Sequence, residues 1–456
     1  MDPNFISADL AAQRDRLLDK YVDGILGEGE PGRTCGWKTN VQVPIQVPEG
    51  KKEWTNENGR TFHIPGLHHR LIVDMVRKNF EENPHLHYTP FQSWWRPPNE
   101  LIGSEQCLYG DISSSEAFMS ATHEINTDPY FRVTGCTLEK VVACVMAYSD
   151  ATQLTQFGSA SLWPIYVFPG NADSWFRLSP NTDADDHWAY IPTLPENLRN
   201  FILEISGQAA SAPLFTHCKR EMVQAVWQLL MDGDFIKAYR HSIVVRCSDG
   251  ILRRIYIRLI TYSADYPEKM LMLCLRDKGN CPCPLSKTTK SLIPQLGLKR
   301  DRERRESLAR KDTHPTLFNV TEARKKIYGK TGLKVNSQSV EALLQPTSCI
   351  PTLNTFSQIV THQSFNKYQM FTVDLMHEFE LGVWKSVLLH LVRLMEQLGP
   401  TIINTFNNRY IFYHVFPFGR DTIRRFGDNV CALKKLGAQD YEDILQVGIP
   451  AQLCSV

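Results

Sequence analysis

The sequence lacks any long apolar segment and any excess of charge of one sign. No run approaches the roughly 18 uninterrupted apolar residues that a membrane-spanning helix needs. The first residues, MDPNFISADLAAQRDR, have no apolar centre of the kind found in secretory signal peptides. The formal net charge is only +1, so the overall field does not indicate a polyanionic partner. We therefore expect a soluble intracellular protein with no membrane association.

The twelve cysteines form no closely spaced framework that would suggest disulfide bonds. Only Cys274, Cys281 and Cys283 lie near one another in the sequence. Tetrahedral zinc needs four Cys or His ligands, and Cys247 or His314 could supply the fourth. We favour reduced thiols and keep structural zinc as the alternative.

With 43% hydrophobic residues, the 456-residue chain can bury a large core in two or three folding units. Composition and hydrophobic periodicity divide it into five segments. We predict a loosely ordered lead-in (1–60), a helical and aromatic packing region (61–135), a core of strands and helices (136–290), a basic insertion or linker (291–365) and a helical C-terminal part (366–456).

Two of these segments carry features that suit nucleic acids but have a simpler interpretation. Tyr88, Phe91, Trp94 and Trp95 could stack on bases, although packing in a core is the favoured prediction. Residues 299–330 carry a net charge of about +6, from eleven Lys or Arg and five Asp or Glu. Because Arg and Glu interleave at helical spacing, we favour a solvated helix with internal ion pairs over phosphate contacts or a nuclear import signal.

The core segment predicts strands and helices in a definite order. The apolar run LEKVVACVMAYSD indicates a buried strand that ends at Asp150, and strands over 162–170 and 187–195 complete a meander. Residues 214–240 have helical spacing and predict one helix or two short ones. The dipeptide Asp249-Gly250 predicts a hairpin turn, and the second strand of that hairpin leads into Asp265.

This order predicts an α/β fold of the ribonuclease H-like class, a mixed sheet flanked by helices, with helical N-terminal and C-terminal additions. In that fold the first acid lies on the first strand and the second acid on the fourth, as Asp150 and Asp265 do here. Three carboxylates can hold two divalent ions about 4 Å apart for phosphoryl transfer, and Mg²⁺ or Mn²⁺ suits such oxygen ligands. Turn formation or helix capping is the alternative role for each acid.

Three motifs resemble the Plavaka transposases of fungi, which belong to the CACTA-like superfamily. They are YSDATQLTQFGSASLWPIYVFPGN, then TYSADYPEKMLMLC with GNCPCP, then VDLMHEFELGVWK. The resemblance implies that Asp150 and Asp265 are the first two metal-binding acids. It implies that the third acid comes from the last motif, where Glu380 is the first choice and Asp374 and Glu378 are alternatives. His377 could serve as a ligand or orient a carboxylate, and helix capping is the competing interpretation of these acids.

The resemblance also implies cut-and-paste transposition in the nucleus, on DNA that carries the terminal inverted repeats of the element, with a homodimer as a possible assembly. Related sequences have a thiolate where this chain has Ser286, which weakens the case for zinc. They generally also extend beyond both ends of this chain, so the alternative is a truncated, inactive or domesticated remnant that only binds DNA. A hydrolase of small phosphate esters would use the same acids but would not explain all three motifs.

Overall fold

A sheet of seven strands is the central feature of the computed structural model. The structure describes residues 36–50, 59–98, 103–153, 161–179, 182, 184–329, 331–359, 366–412, 430–432 and 436–453. The strands of this sheet are β1 (Lys38–Val47), β2 (Arg60–His69), β5 (Glu139–Ser149), β8 (Pro164–Pro169), β9 (Asp186–Tyr190), β10 (Ile243–Arg246) and β11 (Leu252–Ser263). Their order is β1-β2-β9-β8-β5-β11-β10. Two small hairpins lie outside it, β3 (Ser93–Trp95) with β4 (Gln106–Leu108), and β6 (Thr152–Gln153) with β7 (Ser161–Leu162).

Helices flank this sheet and follow it. They are α1 (Ile72–Glu82), α2 (Glu116–Thr127), α3 (Ser174–Arg177), α4 (Asn197–Ser206), α5 (Ala212–Leu230), α6 (Gly233–His241), α7 (Tyr266–Met272), α8 (Asp301–Ser307), α9 (His314–Tyr328), α10 (Gln338–Leu344), α11 (Thr355–Ile359), α12 (Lys367–Met370), α13 (Lys385–Leu398), α14 (Pro400–Phe412) and α15 (Ala438–Leu453). A π-helix (Leu375–Trp384) precedes α13. The prediction of an α/β fold with a mixed sheet and flanking helices is confirmed.

The chain divides into two compact units. The first comprises Met1–Tyr262 and Met270–Phe371, and it contains the sheet. The second comprises Ser263–Lys269 and Thr372–Val456, and it contains the π-helix and the three helices after it. In the second unit α13 buries Leu388 and Val392 in a cluster with residues of α14 and α15.

Strand β5 lies near the centre of the sheet and is covered on both faces. Its residues from Val141 to Val145 are all buried, which is the continuous apolar pattern of an interior strand. It pairs antiparallel with β8, and β8 pairs antiparallel with β9, so the predicted meander is confirmed. Strand β11, which precedes Asp265, lies on the other side of β5.

The ends of β5 and β11 are joined by a buried hydrogen bond. The hydroxyl oxygens of Ser149 and Tyr262 lie 2.5 Å apart, and both residues are fully buried. The Tyr262 ring also packs on Phe371, at 5.1 Å between ring centroids, and on Trp227 of α5 at 5.4 Å. These contacts fix the last residues of the two strands side by side.

The segment predicted as one helix or two forms two. Helix α5 ends at Leu230, and Asp232 begins α6 by accepting hydrogen bonds from the amides of Asp234 and Phe235. Such a side-chain cap satisfies amides that the new helix leaves unpaired. The hairpin at Asp249-Gly250 is also confirmed, because β10 and β11 pair directly across it.

The prediction of a loosely ordered lead-in over residues 1–60 is wrong for Lys38–Val47, which form strand β1. Strand β2 likewise lies in the region predicted as helical, 61–135, so the sheet begins before the predicted core of 136–290. Pro65 and Gly66 usually interrupt strands, which obscured β2. They are accommodated at an irregular stretch of the β1–β2 pairing, where the register shifts and Gly66 takes a φ of +95°.

The expectation that the aromatic cluster packs in a core is wrong for three of its members. Phe91, Trp94 and Trp95 are exposed. The fourth member, Tyr88, is half-buried, and the guanidinium of Arg253 lies 3.7 Å from the centre of its ring. Sequence composition alone does not distinguish packing in a core from stacking on bases at a surface, because an aromatic run suits both.

The basic segment forms helices with internal ion pairs, as predicted. In α8, Arg302 pairs with Glu306 at 2.9 Å, and Asp301 pairs with Arg305 at 3.1 Å. The insertion or linker predicted for 291–365 nevertheless packs into the first unit, since Ala323 and Ile327 of α9 are buried.

A buried polar network ties α9 to α5 and β1. Arg324 donates to the Glu221 carboxylate at 2.6 Å. The Tyr328 hydroxyl donates to the Gln46 carbonyl at 3.1 Å and lies 2.7 Å from Nε2 of His217, so the imidazole is the donor of that second hydrogen bond. Burial lowers the pKa of His217 to about 4, and the imidazole is therefore neutral at physiological pH.

Acid should weaken the folded state through His217. The unfolded chain binds a proton at this histidine near pH 6.5, whereas the folded chain does so only near pH 4. Stability should therefore fall as the pH drops from about 6.5 towards 4, by up to about 3 kcal/mol from this group. We expect His217→Gln, which keeps a donor to Tyr328, to remove that part of the pH dependence in urea unfolding. His123→Gln, at an exposed position of α2, is the control. If the free energy of unfolding changes with pH in the His217 variant as it does in the wild type, His217 is not the source of this pH dependence.

Candidate active site

Asp150 directly follows the buried end of β5, and its side chain is partly exposed. Burial raises the pKa of Tyr166 on β8, and the charges of Asp185 and Asp150 add to this shift. The first unit thus places two carboxylates within electrostatic reach of one tyrosine. Asp185 was not among the predicted site residues, although the acidic run before β9 was a signal for it.

Asp265 follows β11 by two residues and is also partly exposed. Its Oδ1 accepts a hydrogen bond from the Glu268 amide at 2.8 Å, and its carbonyl oxygen accepts one from the Lys269 amide at 2.9 Å. Asp265 therefore acts as the cap of α7, which was the alternative role considered for it. One hydrogen bond leaves lone pairs on both carboxylate oxygens for a further ligand.

The third motif forms the π-helix, which begins at Leu375. The π-helix is rare and occurs often at functional sites. Asp374 caps it, accepting from the His377 amide at 3.1 Å, and its Oδ2 lies 2.8 Å from Nδ1 of the same histidine. Asp374 is buried, whereas the imidazole is partly exposed. The carboxylate thus orients the His377 ring.

Glu378 is held by a lysine of the same unit. Its Oε1 accepts a hydrogen bond from Nζ of Lys269 at 2.8 Å. The Lys269 side chain is 2% exposed, whereas that of Glu378 is 25% exposed. Because a buried ammonium needs a compensating charge, Glu378 is the counter-ion of Lys269.

Glu380 lies in a different electrostatic setting from its two neighbours in the motif. Burial raises the pKa of Glu380, and the charges of Glu442 and Asp374 raise it further. In the part of the chain that the structure describes, no hydrogen bond or cation is recorded at its carboxylate. The charges that act on Glu380 are therefore those of other acids, which is a setting that a cation would stabilise.

The donor atoms at these positions suit Mg²⁺ or Mn²⁺, since all are carboxylate oxygens. Among the described residues, however, no three His, Cys, Asp or Glu side chains form a group that could hold a metal ion. Two acids of the third motif already have partners. Asp374 contacts His377, and Glu378 accepts a hydrogen bond from Lys269.

The cysteines considered for zinc lie in a closely packed part of the first unit. Burial raises the pKa of Cys274 to about 12, so it is a protonated thiol rather than a thiolate. The Cys281 thiol donates to the Pro346 carbonyl at 3.4 Å. Ser286, which stands where related sequences have a thiolate, is buried and donates to the Thr288 hydroxyl at 2.9 Å.

Arg310 cross-links the same segment. It is buried and donates to the carbonyl oxygens of Cys283, Thr347 and Cys281 at 2.9–3.0 Å. A planar guanidinium can satisfy several carbonyls at once, so it holds the loop together as a bound ion would. Zinc at Cys274, Cys281 and Cys283 stays a prediction.

Comparison with known proteins identifies the class. The sequence model of the family described as Plavaka transposase matches residues 31–392. The chain is thus a transposase-like protein whose partner, by its family, is DNA. It belongs to the Plavaka transposase family. No curated protein matches the sequence.

Helix length and hydropathy bear on membrane association. Within the described ranges, no helix combines the length and the apolar character needed to cross a bilayer.

The two partners of the Lys269–Glu378 ion pair should differ in their contribution to stability. Glu378→Met leaves a buried ammonium without its counter-ion and should cost about 3 kcal/mol. Lys269→Met leaves a carboxylate that water can reach, and should cost about 1 kcal/mol. Urea unfolding of both variants measures the loss in the free energy of unfolding. A larger loss for Lys269→Met than for Glu378→Met would contradict the prediction.

Proposed function

We propose that this chain cleaves and joins DNA in cut-and-paste transposition with Mg²⁺ or Mn²⁺, and that Asp150, Asp265 and Glu380 are its metal-binding acids. The substrate would be DNA with the element's terminal inverted repeats, in the nucleus, and the acting form a homodimer. Membership of the Plavaka transposase family supports the reaction class. The choice of residues rests on the local chemistry of each acid.

The observation that carries the proposal is the hydrogen bond between Ser149 and Tyr262. It joins the ends of two central strands in the first unit. Each strand is followed within three residues by a partly exposed aspartate, Asp150 after β5 and Asp265 after β11. Polar side chains that follow buried strands are well placed for function, because the strands supply a rigid support.

The contacts of the third motif support Glu380 as the third acid. Asp374 and Glu378 already hold a histidine and a lysine, so recruiting either for a metal would break an existing interaction. The charges of two other acids, Glu442 and Asp374, act on Glu380 and raise its pKa. When bound, divalent ions would activate the attacking hydroxyl and stabilise the leaving oxygen. His377, whose ring Asp374 orients, belongs to the same motif and is proposed as a ligand or as a group that orients a carboxylate.

A remnant that binds DNA without cutting it is the second candidate. It is favoured by the absence of a three-ligand group among the described residues. The two candidates share the fold and the DNA partner and differ only in whether phosphodiester bonds break.

Nicking of a duplex that carries the element's inverted repeats, with Mg²⁺ or Mn²⁺, separates the two. We expect Asp150→Asn and Asp265→Asn each to lower the nicking rate by roughly 100-fold or more, since several kcal/mol of transition-state stabilisation are lost. Asp234→Asn is the matched control, because Asp234 is exposed and pairs with Lys237 on the surface of α6. Glu380→Gln should behave like the first two variants.

DNA binding and thermal unfolding are measured on the same samples. If the wild-type chain folds and binds this DNA but never nicks it, the remnant is the correct function. If nicking survives in the Asp150 and Asp265 variants, the site is elsewhere.

A further inference from the structure

We propose that the β3–β4 hairpin binds unpaired DNA bases by stacking them on Trp94 and Trp95. The inference rests on the proposed function in taking DNA as the partner. It adds a contact to bases, which the carboxylates cannot provide. Its basis is the exposure, chemistry and two-sided geometry of this hairpin in the first unit.

Exposed aromatic side chains concentrate in and beside this hairpin. Of the large aromatic residues that are exposed in the described ranges, four lie between positions 91 and 109: Phe91, Trp94, Trp95 and Tyr109. Trp94 is 57% exposed and Trp95 is 45% exposed. Aromatic rings at a surface are the usual platform for nucleic-acid bases, because every base has a flat face that can stack on them.

The two tryptophans point to opposite faces of the hairpin. Trp94 pairs with Cys107 and Trp95 with Gln106 across an antiparallel ladder. Successive residues of a strand project to opposite sides, yet both indoles are exposed. One flat protein surface could cover only one of them. A thin hairpin inserted between bases would cover both, which favours nucleic acid as the occupant.

Neither indole has a recorded partner within the described residues, whether a ring contact or a side-chain hydrogen bond. Trp175 offers a contrast, although it is 63% exposed. Its ring packs edge-on against His85 at 5.7 Å between centroids, and its indole nitrogen donates to Asp173 at 3.2 Å. Exposure of Trp175 is therefore compatible with a structural role, whereas no such ring contact or hydrogen bond holds Trp94 or Trp95 among the described residues.

The charge of the hairpin favours bases over phosphates. Arg96 is paired with Glu105 across the two arms. The described arms therefore present little net charge to a DNA backbone. Binding through them should depend on stacking and only weakly on the release of counter-ions.

Fluorescence titration of the full chain with oligo(dT), in chelator and without divalent metal, tests the inference. Trp94→Ala and Trp95→Ala should each weaken binding by roughly 5- to 100-fold, the range expected for loss of one base–aromatic stack. Because the indoles lie on opposite faces, the double variant should show the product of the two effects. Trp→Phe at each position should retain most of the affinity.

Two readouts separate stacking from general damage. The slope of log Kd against log salt should be the same in the wild type and the alanine variants, since no phosphate contact is removed. Trp175→Ala, the matched exposed tryptophan, should bind like the wild type. Melting temperatures should change little in the Trp94 and Trp95 variants, because both side chains are exposed and neither has a ring contact or a side-chain hydrogen bond among the described residues.

An unchanged affinity of the double variant, or a wild type that does not bind oligo(dT), would overturn the inference. So would a double variant that alters only the oligomeric mass in light scattering, because the hairpin would then contact protein. Nicking is scored separately. Base binding that depends on the hairpin, without nicking, would refute the proposed function alone, whereas nicking with intact binding in the double variant would refute this inference alone.

Discussion

The pairing of β5 with β11 is the constraint on which the rest of the first unit depends. Both strands are largely buried, so a slip of one residue would turn apolar side chains out of the core and polar ones into it. The Ser149–Tyr262 hydrogen bond adds a polar requirement at the strand ends, since a buried hydroxyl without a partner is costly. The burial of side chains and the hydrogen bond thus require the same alignment of β5 with β11. The residue at which β5 leaves the sheet, Asp150, is fixed by that alignment.

The same physical terms explain which parts of the fold were predictable. Strand β5 and the Asp249-Gly250 hairpin carry strong local signals, namely a continuous apolar run and a dipeptide suited to a tight turn. Strand β2 contains Pro65 and Gly66, whose local preference is overridden by pairing with β1. No local pattern indicates the π-helix over Leu375–Trp384. Long-range context decided these elements.

The candidate site shows a similar division. Asp150 and Asp265 could be located from sequence because each follows a recognisable strand. Within the third motif three acids lie within seven residues, and from the sequence Glu380 was the first choice, with Asp374 and Glu378 as alternatives. Only tertiary contacts distinguish them, through a histidine at Asp374, a lysine at Glu378 and other acids at Glu380. The partner of Glu378, Lys269, is 109 residues away in the chain, so no local pattern could have revealed it.

Contacts also change what the charge composition means for DNA affinity. The segment 299–330 is basic by count, yet its arginines are largely engaged. Arg302 and Arg305 pair with acids of their own helix, Arg310 donates to three backbone carbonyls, and Arg324 holds the buried Glu221. A guanidinium bound in this way must lose an existing partner before it can contact a phosphate. These arginines of the basic segment therefore contribute to the folded structure through their existing partners rather than to DNA binding. With a net charge of only +1 for the whole chain, affinity for DNA must come from a few local groups, and contacts to bases gain weight relative to contacts to phosphates.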